Sequence, residues 1–278
     1  MRFAATVLLW LATTVALAVT IPIAWAQKNV VDADGYAAMA QHAAADPALR
    51  SAMASELSTR AMELITNRGY TVDSSLVQGV AGAYTASPQF PVQFAQANRT
   101  AHAWIFAGAP PGQDWVVDVA PMLRDRTFAE LWNVFHLQVP ATVTVPLTVD
   151  MPKRLRAGKL RPLTAWGPWL SVGATVLTGV SALLTLAVAR SRGKALSSHG
   201  VSALLAGAAG WAGIEVAQRY INDALDHAFG DIRLIAEAMT GTAENSLHQW
   251  LNLTLAAGGV LVVFGVFVAM LGGLRRAG

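Results

Sequence analysis

Cysteine is absent from this chain and charge is scarce: only 13% of its 278 residues are Asp, Glu, Lys or Arg, against roughly 25% in an average soluble domain. The missing cysteine excludes disulfides, thiolate metal sites and cysteine nucleophiles. It leaves the compartment open, because exported domains without disulfides are ordinary. With 54% of the residues hydrophobic, a soluble fold of this size could not hide its apolar surface, so lipid must act as part of its solvent. The net charge of +3 is a mild basic excess and lacks the footprint of a nucleic-acid binder. No phosphate loop, nucleophile elbow or paired-carboxylate signature stands in a context that would support one. These absences leave an enzyme unsupported without excluding one, and no cofactor is expected.

What is present is a set of long apolar runs. Between Leu163 and Ala189 (LTAWGPWLSVGATVLTGVSALLTLAVA) no side chain is charged, and this exceeds the roughly 20 apolar residues that cross a hydrocarbon core. A basic stretch, RSRGKALSSHG, separates it from a second run, VSALLAGAAGWAGIEVAQRY. That arrangement predicts a transmembrane helical hairpin over 163–217 with a cytoplasmic turn. Residues 1–26 hold one leading arginine and then an uncharged run. Ala24-Trp25-Ala26 has the form of a signal-peptidase site, but the run is longer than a typical h-region of roughly 7–15 residues. An uncleaved first span, with Trp25 as an interfacial anchor, is the expectation. A last apolar run from Trp250 to Leu274 is closed by Arg275-Arg276, so 250–278 reads as the final span and a basic tail.

The soluble part lies over 27–150. Asp46-Pro47 is a helix start, an acidic cap followed by proline at the first helical position. After it Leu49, Met53, Leu57, Ala61, Leu64 and Ile65 recur at spacings of three and four, and Asn67-Arg68-Gly69 ends the helix. A second helical pattern covers Gln89 to Phe106, with Phe90, Phe94, Ala97, Ala101, Trp104 and Ile105 on one side. GAPPG, from Gly108 to Gly112, is a turn. Then the period changes: Trp115–Val119 and Thr142–Val145 are short and β-branched, bracketing a helical stretch from Thr127 to Leu137. They predict a small two-stranded sheet, with Pro140 and Pro146 keeping the second strand short or at an edge. The fold class is therefore mainly α, a four-span membrane protein whose mostly helical soluble domain carries a small two-stranded sheet.

Residues 151–162 (MPKRLRAGKLRP) place Lys153, Arg154, Arg156, Lys159 and Arg161 beside a span with no acid among them. They read as a solvated juxtamembrane stop and equally as a contact for anionic lipid headgroups, at roughly 1 kcal/mol per basic residue. Residues 218–249 are amphipathic, with Ile221, Leu225, Ala228, Phe229 and Ile232 at helical spacing, and Gly230 or Asp231 divides them into two helices. Four spans put both termini on one side. Arg2, Arg190, Arg192, Lys194, Arg275 and Arg276 would share that side, opposed by Lys28 and the five cations of 153–161. Weighting the short loops places the termini in the cytoplasm, the large domain outside and the protein in the plasma membrane. Trp25, Trp166, Trp169 and Trp250 fall on one side of such a four-span arrangement, which supports the count without orienting it.

The order of these parts resembles that of a family of actinobacterial conserved integral membrane proteins, over essentially the whole chain. The resemblance is carried by VVDADGY and ADPAL in the helical domain, ANRTAH from Ala97 to His102, VVDVAPML from Val116 to Leu123, and WGPWLSVG with ARSRGKAL leading into three spans. It implies one N-terminal span, an extracytoplasmic helical domain, three C-terminal spans and an envelope location. Members are mostly of uncharacterised function, so it transfers no active site.

Four features are candidates for chemistry. Asp223 with His227 and Glu244 with His248 are i,i+4 pairs that put a carboxylate and an imidazole on one helix face. If the two helices met, the four could hold a zinc-like ion, although two unrelated surface pairs explain them as well. Asn98, Arg99 and His102 share the polar side of their helix, as a recognition patch, a solvated face or a hydrogen-bonding face against the sheet. Glu215, four residues before Arg219, is the one acid inside a predicted span and by default a functional lead; near the outer end of the span it can also reach water or pair with Arg219. Small residues at intervals of four, Ala209, Gly213 and Ala217 in the third span and Gly265, Ala269 and Gly273 in the fourth, allow close helix approach within the bundle or with another subunit.

The function expected from all this is that of a non-enzymatic multi-pass envelope protein whose extracytoplasmic domain binds a partner protein or lipid. The alternatives are a transport component or accessory subunit of an exporter using Glu215, and a metal-dependent envelope enzyme built on the two acid–histidine pairs.

Overall fold

The computed structural model describes residues 2–108, 115–147, 157–189, 191–226 and 230–277. In chain order the elements are α1 (Arg2–Ala26), α2 (Ala33–Ala43), α3 (Pro47–Thr66), α4 (Ser74–Thr85), α5 (Phe90–Phe106), β1 (Val116–Asp118), α6 (Ala120–Leu123), α7 (Ala129–Val134), β2 (Thr144–Pro146), α8 (Arg161–Val188), α9 (Arg192–Leu225) and α10 (Gly230–Ala277). Four helical stretches are long and apolar enough to cross a membrane: Ala4–Val31, Arg161–Val188, Arg192–Asp223 and Gly230–Leu271. The chain forms two compact units, one of Met1–Lys28, Ala165–Arg219 and Glu244–Gly278, the other of Asn29–Thr164 and Tyr220–Ala243.

In the first unit α1 packs with the membrane parts of α8, α9 and α10. Trp169, Leu253 and Val263 are 70% or more exposed, the pattern of side chains that face lipid instead of water. Inside, hydroxyls and indoles join the helices. Trp10 Nε1 donates to the Ser198 carbonyl at 2.8 Å, Thr14 to Ser202 at 2.8 Å, and Thr20 and Thr178 lie 2.9 Å apart. Trp25 Nε1 donates to Ser246 Oγ at 3.2 Å. Ile21 of α1 meets Ala206, Ile214 and Leu251 in a small apolar core.

The α9–α10 contact is made by a seam of glycines. A methyl group on Gly200 would lie 2.6 Å from the Gly258 carbonyl oxygen, and one on Gly207 2.6 Å from Leu255. Gly193 and Gly265 also face each other's helix across this seam. The α10 side runs Leu251, Leu255, Gly258, Val262, Gly265, Ala269, alternating steps of four and three as a left-handed helix pair requires. The basic turn expected over 190–200 is shorter than the sequence suggested, because α9 begins at Arg192 and buries Ala195. Tight packing at Gly193 and Ala195 extends the helix into a stretch that reads as polar.

In the second unit local chemistry behaves as the sequence predicts. Asp46 caps α3, its side chain accepting from the Ala48 N–H at 2.7 Å, and Gly69 (φ 82°) follows its end. Two helices the sequence reading did not mark, α2 and α4, are capped in the same way by Asp32 and Asp73. The core joins Leu49, Leu57 and Ile65 of α3 to Val77 and Tyr84 of α4, Phe90 of α5, and Phe128 beside α7. Trp132 Nε1 donates to the Leu123 carbonyl at 2.7 Å.

The two strands pair antiparallel, Val117 opposite Val145 and Val116 opposite Pro146. Asp118 locks them by accepting from the N–H groups of Ala120 at 2.9 Å and Val143 at 2.8 Å. The expected helix over Thr127–Leu137 is a 3₁₀ turn, Arg126–Phe128, followed by the shorter α7.

The amphipathic segment breaks at Gly230 (φ 55°), as anticipated. Beyond it no second break occurs: α10 is one helix from Gly230 to Ala277, so the second amphipathic helix and the last span are continuous. Between Asp231 and Trp250 there is no proline, and the single glycine of that stretch, Gly241, is absorbed at about 1 kcal/mol.

Candidate functional site: an apolar cavity in the non-membrane unit

The second unit contains a partly open cavity of about 420 Å³. Its walls come from α2 (Tyr36), α3 (Met53, Glu56), α5 (Phe94, Asn98), the strands (Val117, Val145) and the distant segment that closes the chain's return (Leu225, Ile232, Met239). The apolar stripes of α3 and α5 therefore divide. Leu49, Leu57 and Ile65 go into the solid core, whereas Met53, Phe94, Ala97 and Ala101 face the cavity. Small side chains at Ala97, Ala101 and Ala236 leave the space, and methionines at 53, 122 and 239 line it with flexible, polarizable groups.

The only charged side chain among the described lining residues is Glu56. It is 8% exposed and accepts from Arg60 Nε at 2.8 Å. Arg60 does not line the cavity, and its Nη1 is engaged by Glu63 at 3.0 Å. Burial opposes the charge on Arg60, but Glu56 and Glu63 outweigh it and hold the guanidinium above its ordinary value.

Four uncharged polar side chains complete the lining, and one of them, Trp115, donates its Nε1–H to the Ala101 carbonyl at 3.1 Å. Asn98 Nδ2 donates to the Phe94 carbonyl at 2.9 Å, leaving its oxygen as an acceptor. Thr240 Oγ1 donates to the Ala236 carbonyl at 2.7 Å. Desolvation raises the titration of half-buried Tyr36, whose ring lies 5.1 Å from that of His102.

Asn98, Arg99 and His102 do not act as one patch. Asn98 lines the cavity. Arg99 is exposed and pairs with Asp34. His102 is buried, stacks on Phe106 at 4.2 Å and bonds through Nε2 to the Val30 carbonyl at 2.9 Å. Its partner is the chain before α2, and the sheet is not involved.

Among the juxtamembrane cations, Lys153, Arg154 and Arg156 lie outside the described residues. Lys159 and Arg161 are exposed. The turn that carries them is fixed to the end of α5: Gly158 N–H donates to the Trp104 carbonyl at 2.9 Å and Leu160 N–H to that of Ile105 at 3.2 Å. Gly108 (φ 101°) and Gly158 (φ 69°) pass close enough that a methyl on the latter would lie 3.1 Å from Gly108 Cα.

Of the acid–histidine pairs, Asp223, Glu244 and His248 are among the described residues. Glu244 accepts from Gln218 Nε2 at 3.1 Å and His248 stacks on Trp211 at 3.9 Å, both within the membrane bundle. Asp223 belongs to the other unit, and His227 lies outside the described residues. Among the described residues no three His, Asp or Glu side chains are grouped to hold a metal. Glu215 and Arg219 are both exposed on α9, and no ion pair joins them.

The small-residue stripes also separate. Gly265 is buried against Ser197 and half-buried Ala269 packs on Gly193, whereas Gly213 has nothing within 4 Å of an added methyl. The side chain at 273 lies outside the described residues. What the sequence reading missed was the cavity itself. The available signal was Glu56, an acid three residues from Met53 on the edge of an apolar stripe.

Fold and site together define a mainly α, four-span membrane protein with a mostly helical non-membrane domain around an apolar cavity. Comparison with protein families, with curated proteins and with solved structures finds no match.

Proposed function

We propose that this chain is a non-enzymatic multi-pass membrane protein of the cell envelope, and that its non-membrane unit binds a lipid. The observation that carries the reading is the 420 Å³ cavity, within the roughly 300–1,000 Å³ of small-molecule sites. Water is a poor occupant of a space walled by Phe94, Val117, Ile232 and their neighbours, because it needs two to four polar partners for each molecule. The same polypeptide carries four membrane spans, so the bilayer is a constant source of amphiphiles. Of the two ligand classes that the sequence suggested, partner protein and lipid, a recessed, mostly apolar cavity of this volume fits the second.

The envelope location, the plasma membrane and the extracytoplasmic side of the large domain belong to the same proposal. They are supported by the short-loop basic residues Arg190, Arg192, Lys194, Arg275 and Arg276 and by the resemblance to the actinobacterial membrane family. Single cysteines at the exposed Gln89 and Lys194, labelled in whole cells with an impermeant maleimide, test this. Labelling at 89 and protection at 194 is the expected result, and the reverse pattern would place the domain in the cytoplasm.

Lipid binding is tested on the full chain purified into nanodiscs by native mass spectrometry. One lipid per chain retained beyond the bilayer, and lost when Ala236→Trp fills the cavity, is expected. Equal retention by that folded variant would remove the cavity as the site.

A further inference from the structure

Resting on that lipid-binding reading, we infer that the cavity selects an uncharged amphiphile with a hydroxyl headgroup, and discriminates against both anionic and cationic chains. Its volume is that of about 14 water-sized groups at roughly 30 Å³ each, the bulk of one aliphatic chain. What the polar lining offers decides the headgroup. Asn98, with one of its two amide hydrogens committed to Phe94, presents its oxygen and the second N–H. Thr240, its hydroxyl proton committed to Ala236, presents lone pairs. Glu56 presents carboxylate oxygen. Tyr36 adds one hydroxyl that no described protein group engages. The site offers both acceptors and donors but, among the described lining residues, no cation, so it suits a group that donates and accepts without carrying charge.

An anionic headgroup brings only acceptors and meets Glu56. No Lys, Arg or His stands among the described lining residues to receive it, and Arg60 is turned to Glu56 and Glu63. A cationic headgroup meets a carboxylate whose countercharge is already in place 2.8 Å away, inside walls where an extra unpaired charge is costly. An alcohol, which both donates and accepts, satisfies Glu56, Asn98 and Tyr36 without importing charge. The chemical class is an acylglycerol or long-chain alcohol, and the source is the bilayer.

The experiment uses the full chain in nanodiscs and three photoreactive probes sharing one diazirine-bearing chain, ending in a glycerol ester, a sulfate or a primary ammonium. Labelled peptides are mapped by mass spectrometry. The glycerol ester is expected to label the segments around Met53, Met122 and Met239, and excess unlabelled monoacylglycerol to compete it away. The two charged probes should label them on the order of tenfold less. Glu56→Gln should raise labelling by the sulfate toward that by the ester. If that variant fails to fold, the three-probe comparison on the unmodified chain stands by itself.

Equal labelling of the cavity by either charged probe would overturn the selectivity while leaving lipid binding intact. Absence of cavity labelling by all three would remove the lipid reading and the selectivity with it.

Discussion

Gly200 of α9 and Gly258 of α10 meet backbone to backbone. A methyl on the first would lie 2.6 Å from the carbonyl oxygen of the second, and a methyl on the second 2.9 Å from the carbonyl oxygen of the first. In lipid, where no hydrophobic force drives helices together, such close approach is what holds a pair. Gly200→Leu should therefore destabilise the bundle by about 1–3 kcal/mol or more. Gly213→Leu, at a position with nothing within 4 Å, should change it little. Reversible unfolding in mixed detergent micelles measures both, and equal losses would show that the seam is not the packing face.

Gly158 ties the juxtamembrane turn to the end of α5 with a positive φ and a 3.1 Å approach to Gly108. Ala there meets both the left-handed backbone cost and the clash, so Gly158→Ala should cost more than the roughly 1 kcal/mol of an unfavourable φ alone. Hydrogen exchange at the amides of Gly158 and Leu160 would report the loosened turn directly. Unchanged protection there would count against the contact.

Removing Arg60 leaves Glu56, whose side chain is only 10% exposed, without its countercharge beside an apolar cavity. Arg60→Met should destabilise the domain by about 2 kcal/mol, below the range for fully buried pairs because Arg60 itself is partly solvated. The double variant Glu56→Gln/Arg60→Met should recover most of that loss. Thermal melts of the four proteins complete the cycle, and simple additivity would refute the pairing.

Tyr84 is buried, donates to Gln93 Oε1 at 2.8 Å, and has its titration pushed well above the ordinary tyrosine range, chiefly by desolvation and then by the charge of Asp125. The neutral phenol is thus favoured in the folded state. This contribution is fully present below pH 10 and is lost as the unfolded tyrosine ionises above it, at a slope of up to about 1.4 kcal/mol per pH unit. Circular-dichroism melts from pH 9 to pH 11 should show the decline, and Tyr84→Phe, although less stable at neutral pH, should show a shallower one.

Much of the architecture was legible before any coordinates. Runs without charge, such as 163–189, must cross a membrane whatever they pack against, because the requirement is a length of apolar chain. Asp46 with Pro47 starts a helix through contacts within a few residues, and the β-branched run at Val116 favours extended backbone before it finds its partner strand. Those are local or solvent-driven effects, and a one-dimensional sequence contains them.

The rest depended on which faces meet. Two small-residue stripes run along α9, one through Gly193, Gly200 and Gly207 and one through Ala209, Gly213 and Ala217, and the sequence pointed to the second. Only the approach of α10 decides that the first is the seam. The stripes of α3 and α5 looked like uniform core faces, yet Ala97, Ala101 and Met53 border a space. The void arises because Ile232, Ala236 and Met239, more than a hundred residues away in the chain, close over it without filling it. The two acid–histidine pairs each had the spacing for metal, but spacing fixes only one helix face. Whether two such faces converge is a property of three dimensions that spacing along one helix does not contain.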